Sequence, residues 1–311
     1  MKISRISHAS IVFSAMFLPN FAFAGALSGT VRIDGSSTVF PITEAAAEDF
    51  GGIEAKVRVT AGVSGTGGGF KKLIKNEIDI CDASRPIKPE EIAAAKEAKI
   101  SYLELPIAFD GLSIVVNPKN DWVDSLTVAE LKKIWEPGSK VKTWKDVRPS
   151  WPDRAMKLYG PGTDSGTFDY FTEVINGKAQ ASRSDFTKSE DDNVLVMGIA
   201  GDKDSLGYFG FSYVQENKGK VKAVAIQDKA KPVLPSTQSI NDGTYAPLSR
   251  KLYVYVNTES LKKPEVYSFV EYYLKKAAAF SAEVGYVALP ADSYAKSLKE
   301  LEKFKGAKNA H

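Results

Sequence analysis

Three short stretches combine hydroxyls and glycines where helices are expected to begin. They are Asp34-Gly35-Ser36-Ser37-Thr38, Gly62-Val63-Ser64-Gly65-Thr66-Gly67-Gly68-Gly69 and Gly162-Thr163-Asp164-Ser165-Gly166-Thr167. The first N–H groups of a helix lack an intrahelical acceptor and carry the positive end of its dipole, so a tetrahedral oxyanion can dock there. Hydroxyls add further donors. The same residue types also cap helices and build turns with no ligand involved. One such stretch would carry little weight, whereas three in one chain imply a common focus.

Gly62 to Gly69 holds five glycines in eight residues, so its N–H groups can form an anion nest with little side-chain obstruction. It continues into Phe70-Lys71-Lys72-Leu73 and lacks the Gly-Lys-Ser/Thr ending of a nucleotide-binding loop. Asp82-Ala83-Ser84-Arg85-Pro86 follows a strand-like run, and Arg85 offers a planar fork to an oxyanion. Ser165 and Thr167 would point hydroxyls and N–H groups at the same anion. Asp164 beside them would repel it, unless the ligand brings a proton or the carboxylate orients Arg85. Monohydrogen phosphate has such a proton and sulfate does not. Ser189-Glu190-Asp191-Asp192-Asn193 lacks the frame of a calcium loop and reads as a capped helix start. The aromatic run 208–213 reads as a packed strand.

Composition removes several classes of function. The two histidines are His8 and His311, so Ser-His-Asp and Cys-His nucleophiles and His-based zinc sites are not expected in the body of the chain. Gly162 lies three residues before Ser165, which does not match a G-x-S-x-G elbow. Cys81 is the single cysteine, so there is no internal disulfide. No metal or cofactor is expected. The net charge is +3, falling to +1 without Lys2 and Arg5, which gives no footprint for nucleic acid. An anion would therefore be held by local geometry and not by a bulk field.

The start of the chain reads as an export signal: Lys2 and Arg5, an apolar run over 11–18, then Ala22-Phe23-Ala24. Cleavage is expected after Ala24, leaving a free exported protein, most simply in a bacterial periplasm. The remaining length, about 290 residues, suits two lobes of roughly 100 to 150 residues each.

These residues need elements to hold them. Pattern predicts strands over 31–34, 55–61 and 78–81, alternating with helices over 42–50, 70–76 and 89–98. That order indicates an α/β fold with a largely parallel sheet, whose ligands sit beyond the carboxyl ends of the strands. Leu112-Ser-Ile-Val-Val-Asn117 and Leu252-Tyr-Val-Tyr-Val-Asn257 echo each other 140 residues apart. They are expected to mark two hinge crossings, with one lobe formed by 25–113 plus 250–311 and the other by 114–249. Thr127 is the expected N-cap of a helix over 128–135, and two helices are expected over 266–281 and 293–304.

At Gly35-Ser-Ser-Thr-Val-Phe-Pro41, Gly62 to Gly69, Ala83-Ser-Arg-Pro86, Gly162-Thr-Asp-Ser-Gly-Thr167 and Gly207-Tyr-Phe-Gly210, the chain resembles the phosphate-binding proteins of bacterial ABC phosphate uptake systems. The resemblance implies a type II two-lobed periplasmic-binding-protein fold that closes on inorganic phosphate and delivers it to the membrane subunits of an ABC permease. It implies no catalysis, and a monomer is expected. Carried over by motif, the phosphate-binding residues are Ser37, Thr38 and the N–H of Val39, then Ser64, Gly65 or Thr66, then Ser165, Gly166 and Thr167. The chain departs from the family pattern twice: Arg85 stands where a first-lobe aspartate is expected, and Pro161 where an arginine is expected. The resulting expectation is an arginine that has changed lobes, with Asp164 accepting the ligand's proton and Asp110 in reserve. Other expected possibilities are a receptor for sulfate, molybdate or a phosphorylated solute, and an exported phosphatase using Ser165 with a carboxylate-bound metal.

Overall fold

Strand and helix alternate from the first described residues, because period-two runs such as Val57-Arg-Val-Thr are punctuated by hydroxyl- and glycine-rich turns. The computed structural model describes residues 27–163, 165–229 and 231–306, so the expected signal and Asp164 lie outside the described residues. The first half contains β1 (Gly29–Gly35), α1 (Phe40–Ile53), β2 (Val57–Val63), α2 (Thr66–Ile74), β3 (Ile80–Ala83) and α3 (Pro89–Glu97). β1 pairs in parallel with β2 and with β3, which requires the helical crossovers between them. The carboxyl ends of these strands therefore open on one edge, where the hydroxyl-rich turns lie.

The chain continues through β4 (Tyr102–Val116), β5 (Ser125–Thr127), α4 (Val128–Trp135), α5 (Trp144–Val147), β6 (Lys157–Pro161), α6 (Gly166–Asn176), β7 (Thr187–Ser189) and α7 (Asp192–Gly201). It then forms β8 (Ser205–Gly210), α8 (Phe211–Glu216), β9 (Lys222–Ala223), β10 (Ala225–Gln227), α9 (Thr237–Asn241) and β11 (Ser249–Asn257). α10 (Pro264–Glu283), β12 (Val287–Ala288) and α11 (Ala291–Glu302) close the described fold. The main sheet has the order β2-β1-β3-β11-β4-β8-β6-β7. β4 joins its two halves: residues 102–111 pair with β11, and residues 112–116 pair with β8. The echoing runs at Leu112 and Leu252 thus begin beside this change of partner, the first lying in one half of the sheet and the second in the other.

Several sequence expectations hold to within a residue or two. Thr127 caps α4, accepting from the Glu130 N–H at 3.1 Å while the Glu130 carboxylate accepts from the Thr127 N–H at 2.8 Å. Asp191 caps α7 within the acidic run. Two expectations need correction. The helix expected over 70–76 begins four residues earlier, so Gly67, Gly68 and Gly69 are helical and do not form an open loop. Close packing explains two of them: a Cβ on Gly69 would lie 2.7 Å from Cys81 Sγ and 2.8 Å from Gly35 Cα, and one on Gly68 would lie 2.5 Å from Ser64 Oγ. The aromatic run 208–213 is a strand only to Gly210, after which Phe211 opens α8.

α6 is fixed on the sheet by aromatic packing. Phe171 stacks on Tyr208 of β8 with ring centroids 3.8 Å apart, and Trp135 meets Tyr208 edge-on at 4.9 Å. All three side chains are buried. This anchoring sets where the amino end of α6 points.

Candidate functional site

The turn after β1 is held by backbone chemistry. Gly35 adopts φ +148°, and a Cβ there would collide with the Asp82 carbonyl. The close approach lets the Ser36 N–H donate to that carbonyl at 3.0 Å. Ser36 Oγ in turn accepts from the Thr38 N–H at 3.2 Å, so the turn is rigid before any ligand arrives.

Facing this turn is the start of α6. Ser165 is its N-cap, and Ser165 Oγ accepts from the Thr167 N–H at 3.2 Å. Gly166 sits so close that a Cβ would fall 2.6 Å from Thr38 Oγ1. Two of the three stretches singled out in the sequence are therefore in contact. Beside them opens a cleft of about 500 Å³, lined by Ser37, Thr66, Arg85, Asp169, Tyr170 and Arg250 among others.

Arg250 was not among the sequence candidates, and it is the cation at the centre of the arrangement. Its guanidinium donates to Thr38 Oγ1 at 3.1 Å and pairs with Asp110 at 3.1 Å. It lies over the Tyr170 ring, 3.8 Å from the centroid. A positive signal was available in the sequence: Arg250 and Asp110 each precede the echoing strands by two residues. Antiparallel pairing makes them Cα partners.

The remaining sequence candidates divide. Ser37, Thr38, Gly65, Thr66 and Arg85 line the cleft. Thr66 Oγ1 accepts from the Ser84 N–H at 3.1 Å and lies 3.1 Å from Ser84 Oγ. Val39 is fully buried at the N-cap position of α1, so its side chain is part of the core. Ser64 is turned away from the expected anion role, because its hydroxyl donates to the Asp34 carboxylate, which also pairs with Lys72 at 2.6 Å. Arg85 borders the cleft, but its fork grips Glu91 through two 2.8 Å hydrogen bonds and lies over Phe70. That pairing stands against the expectation that Arg85 offers its fork to the anion.

Three carboxyls matter to the electrostatics. Asp110 is 1% exposed and tied to Arg250, and it does not line the cleft; burial pushes its carboxyl above the usual range while Arg250 opposes the shift. Its engagement with Arg250 stands against the expected reserve role as the ligand's proton acceptor. Asp169 does line the cleft, and its Oδ1 is buried with no hydrogen-bond partner. Burial raises its carboxyl, with Glu173 adding to the effect and Gln180 and Arg250 opposing it. Asp82, behind the Ser36–Thr38 turn, is fully buried with both oxygens unpartnered, and burial pushes it up to about 8. Among the described residues no group of three or more His, Cys, Asp or Glu is placed to hold a metal ion. No helix among them is long and apolar enough to cross a membrane.

A mixed sheet whose halves share one long strand, with a polar cleft at the carboxyl edge, defines a two-lobed solute-binding protein. The chain belongs to the PBP superfamily, whose domain matches residues 24–277. It is 51% identical over 274 residues to protein SphX of Synechococcus elongatus, covering 87% of this chain and 81% of that one. It is 40% identical to the phosphate-binding protein PstS of Staphylococcus saprophyticus, covering 94% of this chain and 91% of the relative. Among solved structures, a possible phosphate-binding protein from Planctomyces limnophilus superposes with a TM-score of 0.87 at 48% identity, covering 90% of this chain and 99% of the other.

Proposed function

We propose that this protein captures inorganic phosphate reversibly in the cleft between its lobes and delivers it to an ABC permease. The observation that carries this reading is the meeting of the Ser36–Thr38 turn, the amino end of α6 and the Arg250 guanidinium at one point. Ser37, Thr38, Ser165, Gly166 and Thr167 supply neutral donors there, Gly65 and Thr66 line the same cleft, and Arg250 supplies the charge. A hydrogen bond to a charged group contributes about 1.5–3 kcal/mol. Micromolar affinity needs about 8 kcal/mol, so a few such bonds suffice. The naming of PstS relatives as phosphate-binding supports the same ligand.

Phosphate is favoured over sulfate by Asp169. A carboxylate with an unpartnered oxygen in an anion cleft repels a fully deprotonated oxyanion and accepts a hydrogen bond from a protonated one. We assign the proton-accepting role to Asp169; Asp164, which the sequence suggests for it, lies outside the described residues. We read the action as binding without covalent chemistry: Ser165 Oγ is engaged as a helix cap, accepting from the Thr167 N–H, and the PstS relatives are named as binding proteins.

The change of partner along β4 at Gly111 and Leu112 supports hinge crossings close to the expected lobe limits, 25–113 with 250–311 against 114–249. The same reading includes export to the periplasm after cleavage of the first 24 residues and action as a monomer on the permease's membrane subunits; the resemblance to receptors of ABC phosphate uptake supports the exported location and the permease partner. Binding drives transport only by shifting the protein toward the closed form that the permease recognises. Calorimetric titration of the phosphate-stripped mature protein tests the reading. One-to-one binding at micromolar or better affinity is expected, and the absence of phosphate binding would overturn it.

A further inference from the structure

We infer that Tyr170 is a positioning residue for the anion-facing guanidinium: a shelf carried by α6 that locks Arg250 in its binding orientation. This rests on the reading of Arg250 as the residue that meets the ligand's charge. A guanidinium is planar, and all its N–H donors lie in that plane. Its in-plane edge toward β4 is taken by Asp110, and a further donor by Thr38 of the first turn. Only its face remains to be fixed, and Tyr170 covers that face at 3.8 Å.

The shelf is itself held. The Tyr170 hydroxyl donates to the Pro247 carbonyl at 2.7 Å, just ahead of β11, and the residue is 3% exposed. Tyr170 therefore ties α6 to the segment leading into the strand that carries Arg250. Gly166, which confronts Thr38, and its N-cap Ser165 belong to the same end of the same helix. Any movement of α6 toward the first turn brings the helix N–H groups and the shelf into place together. A cation over a desolvated ring is held more firmly than one over an exposed ring. The contact exists only while α6 is docked, so its loss should appear in ligand release and not in encounter.

The test compares Tyr170→Leu and Tyr170→Phe in the full mature protein. With phosphate as the probe, stopped-flow kinetics should show Tyr170→Leu releasing phosphate about tenfold faster with association within twofold of wild type. Tyr170→Phe, which keeps the ring and loses only the Pro247 bond, should stay within threefold. In an Arg250→Gln background, where no cation sits over the ring, calorimetry should show Tyr170→Leu changing phosphate affinity less than twofold. A merely structural ring would lower thermal stability and leave release unchanged, or would act equally in both backgrounds; either result overturns the shelf. A ligand-free readout separates this from failure of the phosphate reading. The Arg250 Nε–H resonance should carry a ring-current shift in wild type that persists in Tyr170→Phe and disappears in Tyr170→Leu. An unshifted wild-type resonance contradicts the inference whatever the ligand is.

Discussion

Arg250 and Asp110 face each other across β11 and β4 as Cα partners, and their side chains meet at 3.1 Å, the carboxylate 1% exposed. A carboxylate so placed holds the guanidinium still and leaves its remaining donors for Thr38 and the cleft. Arg250→Ala is expected to weaken phosphate binding by about 100-fold, the loss of one or two charge-assisted bonds. Arg250→Lys should recover only part of this, since an ammonium cannot serve Asp110 and the cleft through a planar fork. Calorimetric affinities of the two variants check both statements.

Arg85 is expected to matter far less. Its fork is committed to Glu91, so Arg85→Ala should change phosphate affinity by no more than about threefold, measured in the same titration. A loss matching that of Arg250→Ala would mean that the fork leaves Glu91 when the anion enters.

Much of this was legible in the sequence, and the parts that were not have physical reasons. The turns at Ser36–Thr38 and Ser165–Thr167 announced themselves because helix starts need particular residue types within a short span. α4 and its Thr127 cap were readable for the same reason. The glycine-rich stretch was misread as an open loop because glycine's low helix propensity suggests a break, while tertiary packing against Cys81 and Gly35 demanded small residues inside a helix. Ser64 stands beside Gly65 and Thr66 as an alternative in the sequence because nothing local reveals that Asp34, thirty residues away, takes its hydroxyl. Arg250 was missed because its meaning depends on antiparallel register with Asp110, a relation across 140 residues that only the echo of two strands hinted at.

Selectivity should reside in Asp169. Asp169→Asn keeps the shape, removes the charge and turns an acceptor into a group that can also donate. Phosphate affinity is expected to fall about tenfold while sulfate, undetectable or weak in wild type, gains affinity. Parallel titrations with the two anions measure the ratio, and an unchanged ratio would remove Asp169 from the recognition.

Asp82 gives a pH-dependent prediction for stability. Burial raises its carboxyl to about 8, with Thr43 opposing and Asp34 adding. An aspartate in the unfolded chain titrates at about 3.9. The folded protein therefore binds this proton more tightly, so the contribution is fully present below about pH 4 and is lost as pH rises toward about 8. Asp82→Asn removes that loss. Its Tm should exceed that of wild type at pH 7.5, by about 2–4 °C for each kcal/mol of the loss, and the advantage should shrink toward zero only as pH falls below about 4. Thermal melts of both proteins across that range are the check, and parallel curves would contradict the buried acid.

The most direct measurement is a crystal structure of the mature protein with arsenate, a tetrahedral stand-in for phosphate whose arsenic is located by anomalous scattering. A single arsenic peak is predicted between the Ser36–Thr38 turn and the amino end of α6, with an arsenate oxygen within hydrogen-bonding distance of the Arg250 guanidinium. A peak elsewhere in the molecule, or an occupied cleft with Arg250 turned away from the anion, would contradict the site.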